Sequence, residues 1–318
     1  MKEQTQNICD VFISNYKTAG DVFRLDGDMG AVICASTLIG TKEPVDENIL
    51  KKLKVTIDSS SGFFSTLRNS KAKQAVVAAA SKTENPDEAY LKIEYIHKLL
   101  KTVFRDSSDL VITAVGLFQF GKNDDIDTII KRTRRIYDLI DIEHPVITTS
   151  EDILNFACMA SSGKSAEDCA KEFEAIFKEV CKYVKKINEA QALACILSVF
   201  DGECETKVKN SCELYDYLRK HRISFDNFGL ELVGIIAMLF EDCDKDLLVE
   251  EIKEVSSYLS KTKGLGSWGG VGEKVRNMIS ASIVIDSYLG DNNAISMTVK
   301  QIISTVITRT LEDYYSLD

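Results

Sequence analysis

Proline is the first scarcity: three in 318 residues. It breaks helix interiors and central strands, so its near-absence points to long, uninterrupted elements. Histidine is also thin, with only His97, His144 and His221. No two of them stand four apart and no H-E-x-x-H occurs, so the sequence offers no zinc site of the common helical kind. A single tryptophan, Trp268, leaves little material for stacking sugars. That argues against glycoside chemistry on paired carboxylates such as Asp26, Asp28, Asp286 and Asp291. Long apolar runs are missing as well. The longest, around residues 232–240, falls far short of the roughly 18 residues a membrane span needs. The first residues, "MKEQTQNICDVFISNYK", lack the apolar stretch of a signal peptide.

Positive charge is in deficit. Lysine and arginine number 39 against 49 acidic residues, a net charge of −10, which argues against general nucleic-acid binding. Nine cysteines occur without a C-x-x-C pair. Several lie in apolar helical stripes, where a thiol acts as a small hydrophobe. A disulfide framework is therefore not expected, and the setting reads as reducing and cytoplasmic.

What is present is periodicity of two kinds. Seven short apolar segments rich in small residues recur: "AVICASTLIG" (31–40), "AVVAAAS" (75–81), "LVITAVGLFQF" (110–120) and "ILNFACMASSG" (153–163), then "AQALACILSVFDG" (190–202), "LELVGIIAMLFED" (230–242) and "MISASIVIDSYLG" (278–290). Their starts are about 41 residues apart on average. Apolar on nearly every side, each predicts a helix buried among neighbours. An amphipathic segment follows each after a few polar residues. In 165–186, Phe173, Ile176, Phe177, Val180 and Val184 share one face and lysines take the other. In 125–140 the stripe is Ile126, Ile129, Ile130, Thr133, Tyr137 and Ile140. "NPDEAYLK" predicts an Asn cap with Pro86 at the first helical position, and "SAED" a capped start at Ser165. The amphipathic segments begin acidic and end basic, complementing the helix dipole.

Two helices per unit at this period predict an all-α, single-domain fold over 1–318: an α-solenoid of the HEAT or armadillo type with about seven hairpins. The N- and C-terminal helices would cap it, the latter with Ile295, Val299, Ile302, Ile303, Val306, Ile307, Thr310 and Tyr314 on a helical stripe. The alternative is closure of the same hairpins into an α/α toroid.

Three stretches also carry a family resemblance: "FSTLRNSKAKQAVVAAAS" (64–81), "EHPVITTSEDILNFACMAS" (143–161) and "NEAQALACILSVFDGECETKVKNSCELYDYLRK" (188–220). Across roughly residues 20–290 the chain resembles a family of uncharacterised bacterial proteins of about this length, the domain-of-unknown-function family numbered four thousand and three. The resemblance implies an all-helical protein. It brings no assigned activity, so no functional residue is carried over from it.

Motif chemistry is sparse. Gly264, Gly266 and Gly269 fit G-x-G-x-x-G, but the stretch follows an amphipathic helix rather than a strand, so it reads as a turn and not a dinucleotide loop. Gly264 fits the residue that ends a helix carrying Lys261 and Lys263 in its last turn. "DGDMG" (26–30) lacks the ligands to complete a calcium loop. No G-x-S-x-G occurs, and no cofactor site emerges.

The informative charge is a cluster of Lys131, Arg132, Arg134 and Arg135 on one helix, echoed by "RKHR" (219–222). It reads either as helix ends serving the dipole or as an edge that docks an acidic protein or peptide. Trp268 reads either as a core plug or as an exposed anchor. Together these features favour a non-catalytic, cytoplasmic interaction scaffold without nucleic-acid or membrane partners. An enzyme or small-molecule binder with an axial pocket in a toroid is the second reading.

Overall fold

The computed structural model describes residues 1–24, 28–60, 62, 65–69, 72–120, 126–225, 229–240, 244–266, 270–289, 302, 303, 306 and 308. Among them the chain is helical, with no strand. Seven helices coincide with the seven apolar segments: α2 (Asp28–Thr37), α5 (Ala72–Ser81), α7 (Ser108–Phe120), α9 (Ile153–Ser161), α11 (Ile187–Leu197), α13 (Gly229–Leu239) and α15 (Gly272–Leu289). All ten residues of α5 are buried, as are Ala190–Leu197 of α11 and Val275–Asp286 of α15. Small side chains allow this, because alanine-rich faces let four or more neighbours approach one helix closely. These helices pack in chain order, α2 on α5, α5 on α7, and so on to α15.

Amphipathic helices alternate with them: α1 (Glu3–Val22), α3 (Glu47–Ser60), α6 (Pro86–Leu100), α8 (Ile126–Glu143), α10 (Ala166–Val180), α12 (Cys204–Lys220) and α14 (Lys245–Leu259). A four-residue turn of helix, α4 (Thr66–Asn69), precedes α5. In α10 Phe173, Ile176, Phe177 and Val180 of the predicted stripe are buried, joined by Ala166 and Cys169, with the helix ending at Val180 before Val184 is reached. Removing Phe173 from water contributes about 1.5–3 kcal/mol. The caps form as the sequence suggests. Asn85 accepts from the Glu88 amide with Pro86 next to it, and Ser165 accepts from the Asp168 amide.

The opposite helix ends need donors, because the last carbonyls of a helix have no partner within it. Basic side chains from neighbouring elements fill that need. Lys54 donates to Val22 O of α1 at 3.0 Å, and Arg132 to Ala160 O of α9 at 2.7 Å. Lys207 donates to Leu197 O, the last residue of α11, at 2.9 Å and to Phe200 O just beyond it at 2.8 Å.

The first helix meets the last ones. Besides α2 and α3, α1 packs against α14 and α15. Tyr258 Oη donates to Asp10 Oδ1 at 2.6 Å across 248 positions, and Lys2 pairs with Glu251 at 2.8 Å. Ile302, Ile303 and Val306, predicted on the C-terminal stripe, are helical and join the main core. Ile295, Val299, Ile307, Thr310 and Tyr314 of that stripe lie outside the described residues.

One buried pair sets an acid limit on stability. His97, 4 % exposed, lies 3.0 Å from Asp106 Oδ1. Burial pulls its imidazole below the ordinary 6.5, against the opposing pull of Asp106. The unfolded chain therefore takes up the proton first, so stability falls as pH drops below about 6.5. Urea unfolding at pH 7.5 and pH 5 is expected to show this loss, and His97→Gln is expected to reduce it.

Candidate functional site

A cleft of about 590 Å³ lies between the ends of α10, α12 and the starts of α11, α13 and α15. Local structure explains how its walls are placed. After α12 the chain makes a full left-handed cap: Arg222 has φ 63, its amide reaches Arg219 O, and the Ile223 amide reaches Leu218 O. Buried Leu218 and Ile223 complete the motif from below. This reversal delivers Ser224 and Phe225 into the cleft lining. A glycine usually takes the strained position, and a side chain there costs about 1–2 kcal/mol. Arg222→Gly is thus expected to raise stability by about 1 kcal/mol in urea melts.

The floor is apolar: Val184, Cys212, Phe225 and Leu230. Burial, then Asp216, pushes the Cys212 thiol up to about 11, so it is protonated and no nucleophile at neutral pH. Tyr183 and Tyr215 form aromatic walls. Around them stand four cations, Lys185, Lys186, Arg219 and Lys274, against two carboxylates, Glu189 and Asp216. Lys186 is engaged with Glu189 at 2.8 Å, and the Arg219 guanidinium lies 5.5 Å above the Tyr215 ring. Lys185 and Lys274 are exposed and make no ion pair among the described residues. The first amides of α11 add to the field, since its N-cap residue Lys186 offers no side-chain acceptor. A protein of net charge −10 thus gathers positive potential at this cleft.

The predicted cluster sits elsewhere, on α8, and most of it is engaged. Arg132 caps α9, as described above. Arg134 donates to Val103 O at 3.2 Å and pairs with Asp138. Arg135 pairs with Glu167 at 3.0 Å on the surface. Lys131 alone is exposed without an ion pair among the described residues. Of the "RKHR" run, Arg219 enters the cleft. Trp268 lies outside the described residues. Lys185 and Lys274 escaped sequence reasoning because nothing but tertiary packing brings them together. The usable signal was the acidic-to-basic gradient, which places "KYVKK" at the end of α10.

A second polar group lies among the starts of the inner helices. Asn155 Nδ2 of α9 donates to Glu231 Oε1 of α13 at 2.8 Å, both residues being buried. The recess beside them holds about 20 Å³, room for one water. Asp109 of α7 accepts from Ser150 Oγ at 2.6 Å. These carboxylates are bonded within the protein rather than presented to a reactant. Among the described residues no three His, Cys, Asp or Glu side chains are grouped to hold a metal, and no helix is long and apolar enough to cross a membrane.

No curated protein and no solved structure matches the chain. Residues 15–310 match the profile of the family described as "Protein of unknown function (DUF4003)", and the chain belongs to that family.

Proposed function

We propose that the helices close into an α/α toroid and that the protein is a non-catalytic interaction module that seats an acidic polypeptide segment in the cleft. Two contacts support closure. The packing of α1 on α14 and α15 joins the two ends of the array. The Asn155–Glu231 bond links helices two apart, with α11 between them. In a flat stack such helices stand about 16–20 Å apart, beyond the combined reach of the two side chains. Strong curvature brings them together.

The docking reading is carried by the cleft's composition. An apolar, aromatic floor ringed by a surplus of cations complements a segment with an aromatic or aliphatic side chain flanked by carboxylates. The volume suits a few residues of an extended peptide, not a folded domain. The thiols, most of them buried and none in a disulfide among the described residues, fit work in a reducing compartment such as the cytoplasm.

A display library of peptides with one fixed aromatic residue and random flanks tests the reading. Enrichment of Asp- and Glu-flanked sequences is expected. A Lys185→Glu, Arg219→Glu, Lys274→Glu variant is expected to weaken the selected peptide at least about tenfold, about 1.4 kcal/mol, with a steeper loss at low salt. Selection of neutral or basic flanks, or unchanged binding by the folded variant, would overturn it.

A further inference from the structure

The small recess beside the Asn155–Glu231 bond runs from an open mouth to a buried floor. Thr149, Glu151 and Asn188 in its lining are exposed, whereas Asn155, Ala192 and Glu231 are buried. Ile147 and Asp152 complete the walls. Three helix starts meet there: Asn155 is the third residue of α9, Asn188 the second of α11 and Glu231 the third of α13.

The lining fixes the sign of the charge. Glu151, Asp152 and Glu231 bring three carboxylates, and no lysine, arginine or histidine lines the recess. Each helix start supplies about half a positive charge, so the three together offset only about half of the carboxylate charge. The recess therefore stays negative and favours a cation over an anion or a neutral molecule of the same size. A buried amide points independently to a bound group. Gln191 is 1 % exposed, and neither its Oε1 nor its Nε2 has a hydrogen-bond partner among the described residues. At about 100° per residue it shares one side of α11 with Asn188 and Ala192, both of which line the recess. A buried polar group without a partner is costly, so an amide in that position gains from a ligand that hydrogen-bonds.

We infer that this recess binds the ammonium head of a small primary aliphatic amine. Room for one water is also room for one ammonium group, which is of similar size. An ammonium has three protons to donate, and the lining offers the Glu231 and Asp152 carboxylates and the side-chain carbonyls of Asn155 and Asn188. Internal bonds orient these acceptors. Asp152 Oδ2 accepts from the Thr149 amide at 2.9 Å, and Glu231 Oε1 accepts from Asn155 Nδ2 at 2.8 Å. A carboxylate accepts at about four positions, so such bonds aim it without exhausting it. The carbon chain of the amine leaves through the mouth past Ile147. Val146 and Ile187, each next to a lining residue in the chain, are exposed there and give an alkyl chain apolar surface to cover. The carboxylates of the lining are not grouped to hold a metal ion among the described residues. Lys186 and Glu189 of the same helical turn line the peptide cleft instead, so the amine site does not depend on the docking reading.

Calorimetric titration of the whole protein with n-butylammonium chloride at neutral pH and low salt tests the inference. One saturable site is expected, with a dissociation constant of about 5 mM or tighter. 1-Butanol keeps the chain without the charge, and butyrate reverses the charge. Tetramethylammonium has no N–H and is too large for the recess, and potassium has neither N–H nor chain. Each of the four is expected to bind at least about tenfold more weakly than butylammonium. Glu231→Gln is expected to weaken butylammonium at least about tenfold. Ala192→Leu, which fills the floor and leaves the Asn155–Glu231 pair in place, is expected to abolish the site and covers the case of a Glu231 variant that does not fold. No saturable binding, equal affinity for butanol, tetramethylammonium or potassium, or unchanged binding by folded Ala192→Leu protein would overturn the assignment.

Discussion

Replacing Lys207 with methionine is expected to cost about 3 kcal/mol and lower the melting temperature by about 5–10 °C. The ammonium is 2 % exposed and spends all three protons: on Glu172 Oε1 at 2.8 Å, Leu197 O at 2.9 Å and Phe200 O at 2.8 Å. Methionine keeps the stem volume but takes the ammonium donor from Phe200 O and leaves Leu197 O, at the end of α11, with only the Phe200 amide at 3.3 Å. It also strips Glu172 of one of its two cations. Removing one partner of a buried pair costs about 3–5 kcal/mol. The lower end applies here because Lys164 still holds the other oxygen and Glu172 is 26 % exposed.

The pH profile should follow. Burial pushes the Glu172 carboxyl up, and its bonds to Lys164 and Lys207 outweigh that, holding it below the ordinary range. A depressed carboxyl stabilises the fold above its unfolded value, near 4.5, and that contribution fades as pH falls through the folded value. Lys207→Met removes part of the depression. The variant's deficit is thus expected to be largest at neutral pH and to shrink below about pH 4. A deficit under 1 kcal/mol at pH 7 in urea melts would refute the capping account.

Gly270→Ala is expected to be the second severe change, at about 2–3 kcal/mol. A Cβ there would stand 2.5 Å from Gly264 O and 2.6 Å from Gly266 O. Both obstacles are backbone atoms, so no rotamer change relieves them. The backbone in turn is held: Val271 N donates to Gly264 O at 3.0 Å, and buried Arg276 donates to Leu265 O at 3.1 Å. Leu265 and Val271 are buried on either side. Gly62→Ala serves as the control, because a Cβ there meets nothing within 4 Å, and a change within about 0.5 kcal/mol is expected. Equal losses at the two positions would show that glycine's entropy, not the close approach, is being measured.

That loop illustrates what a sequence motif conceals. G-x-G-x-x-G without a preceding strand was readable as a turn, and the described part is one. The predicted helix end was placed too late, however. α14 stops at Leu259 with Ser260 as its cap, so Gly264, at φ +89, belongs to the turn beyond and not to the helix terminus. Lys261 and Lys263, assigned to a last helical turn, follow the helix. Periodicity locates the middle of a helix, where several residues agree. It says little about the end, where one or two local hydrogen bonds decide.

The basic residues divide in the same way. The dipole gradient indicated that helix ends would carry cations, and Arg132 and Lys207 do meet helix-end carbonyls. Which cations are consumed in this way and which remain available depends on the neighbour each one faces. Arg134 and Arg135 are engaged, whereas Lys185 and Lys274 make no ion pair among the described residues, although their local sequences do not distinguish them.

By itself, then, the sequence determined the helical class, the seven buried segments, the stripes of the amphipathic helices and the caps at Asn85 and Ser165. These rest on interactions within a few residues, namely 3.6-residue periodicity, proline scarcity and side-chain-to-amide bonds. Tertiary structure alone decided that α1 meets α14 and α15, that Asn155 reaches Glu231, and that Lys185 and Lys274 share a cleft. Each joins residues dozens to hundreds of positions apart, and the helix crossing that unites them depends on how the packed faces fit, which no local pattern encodes.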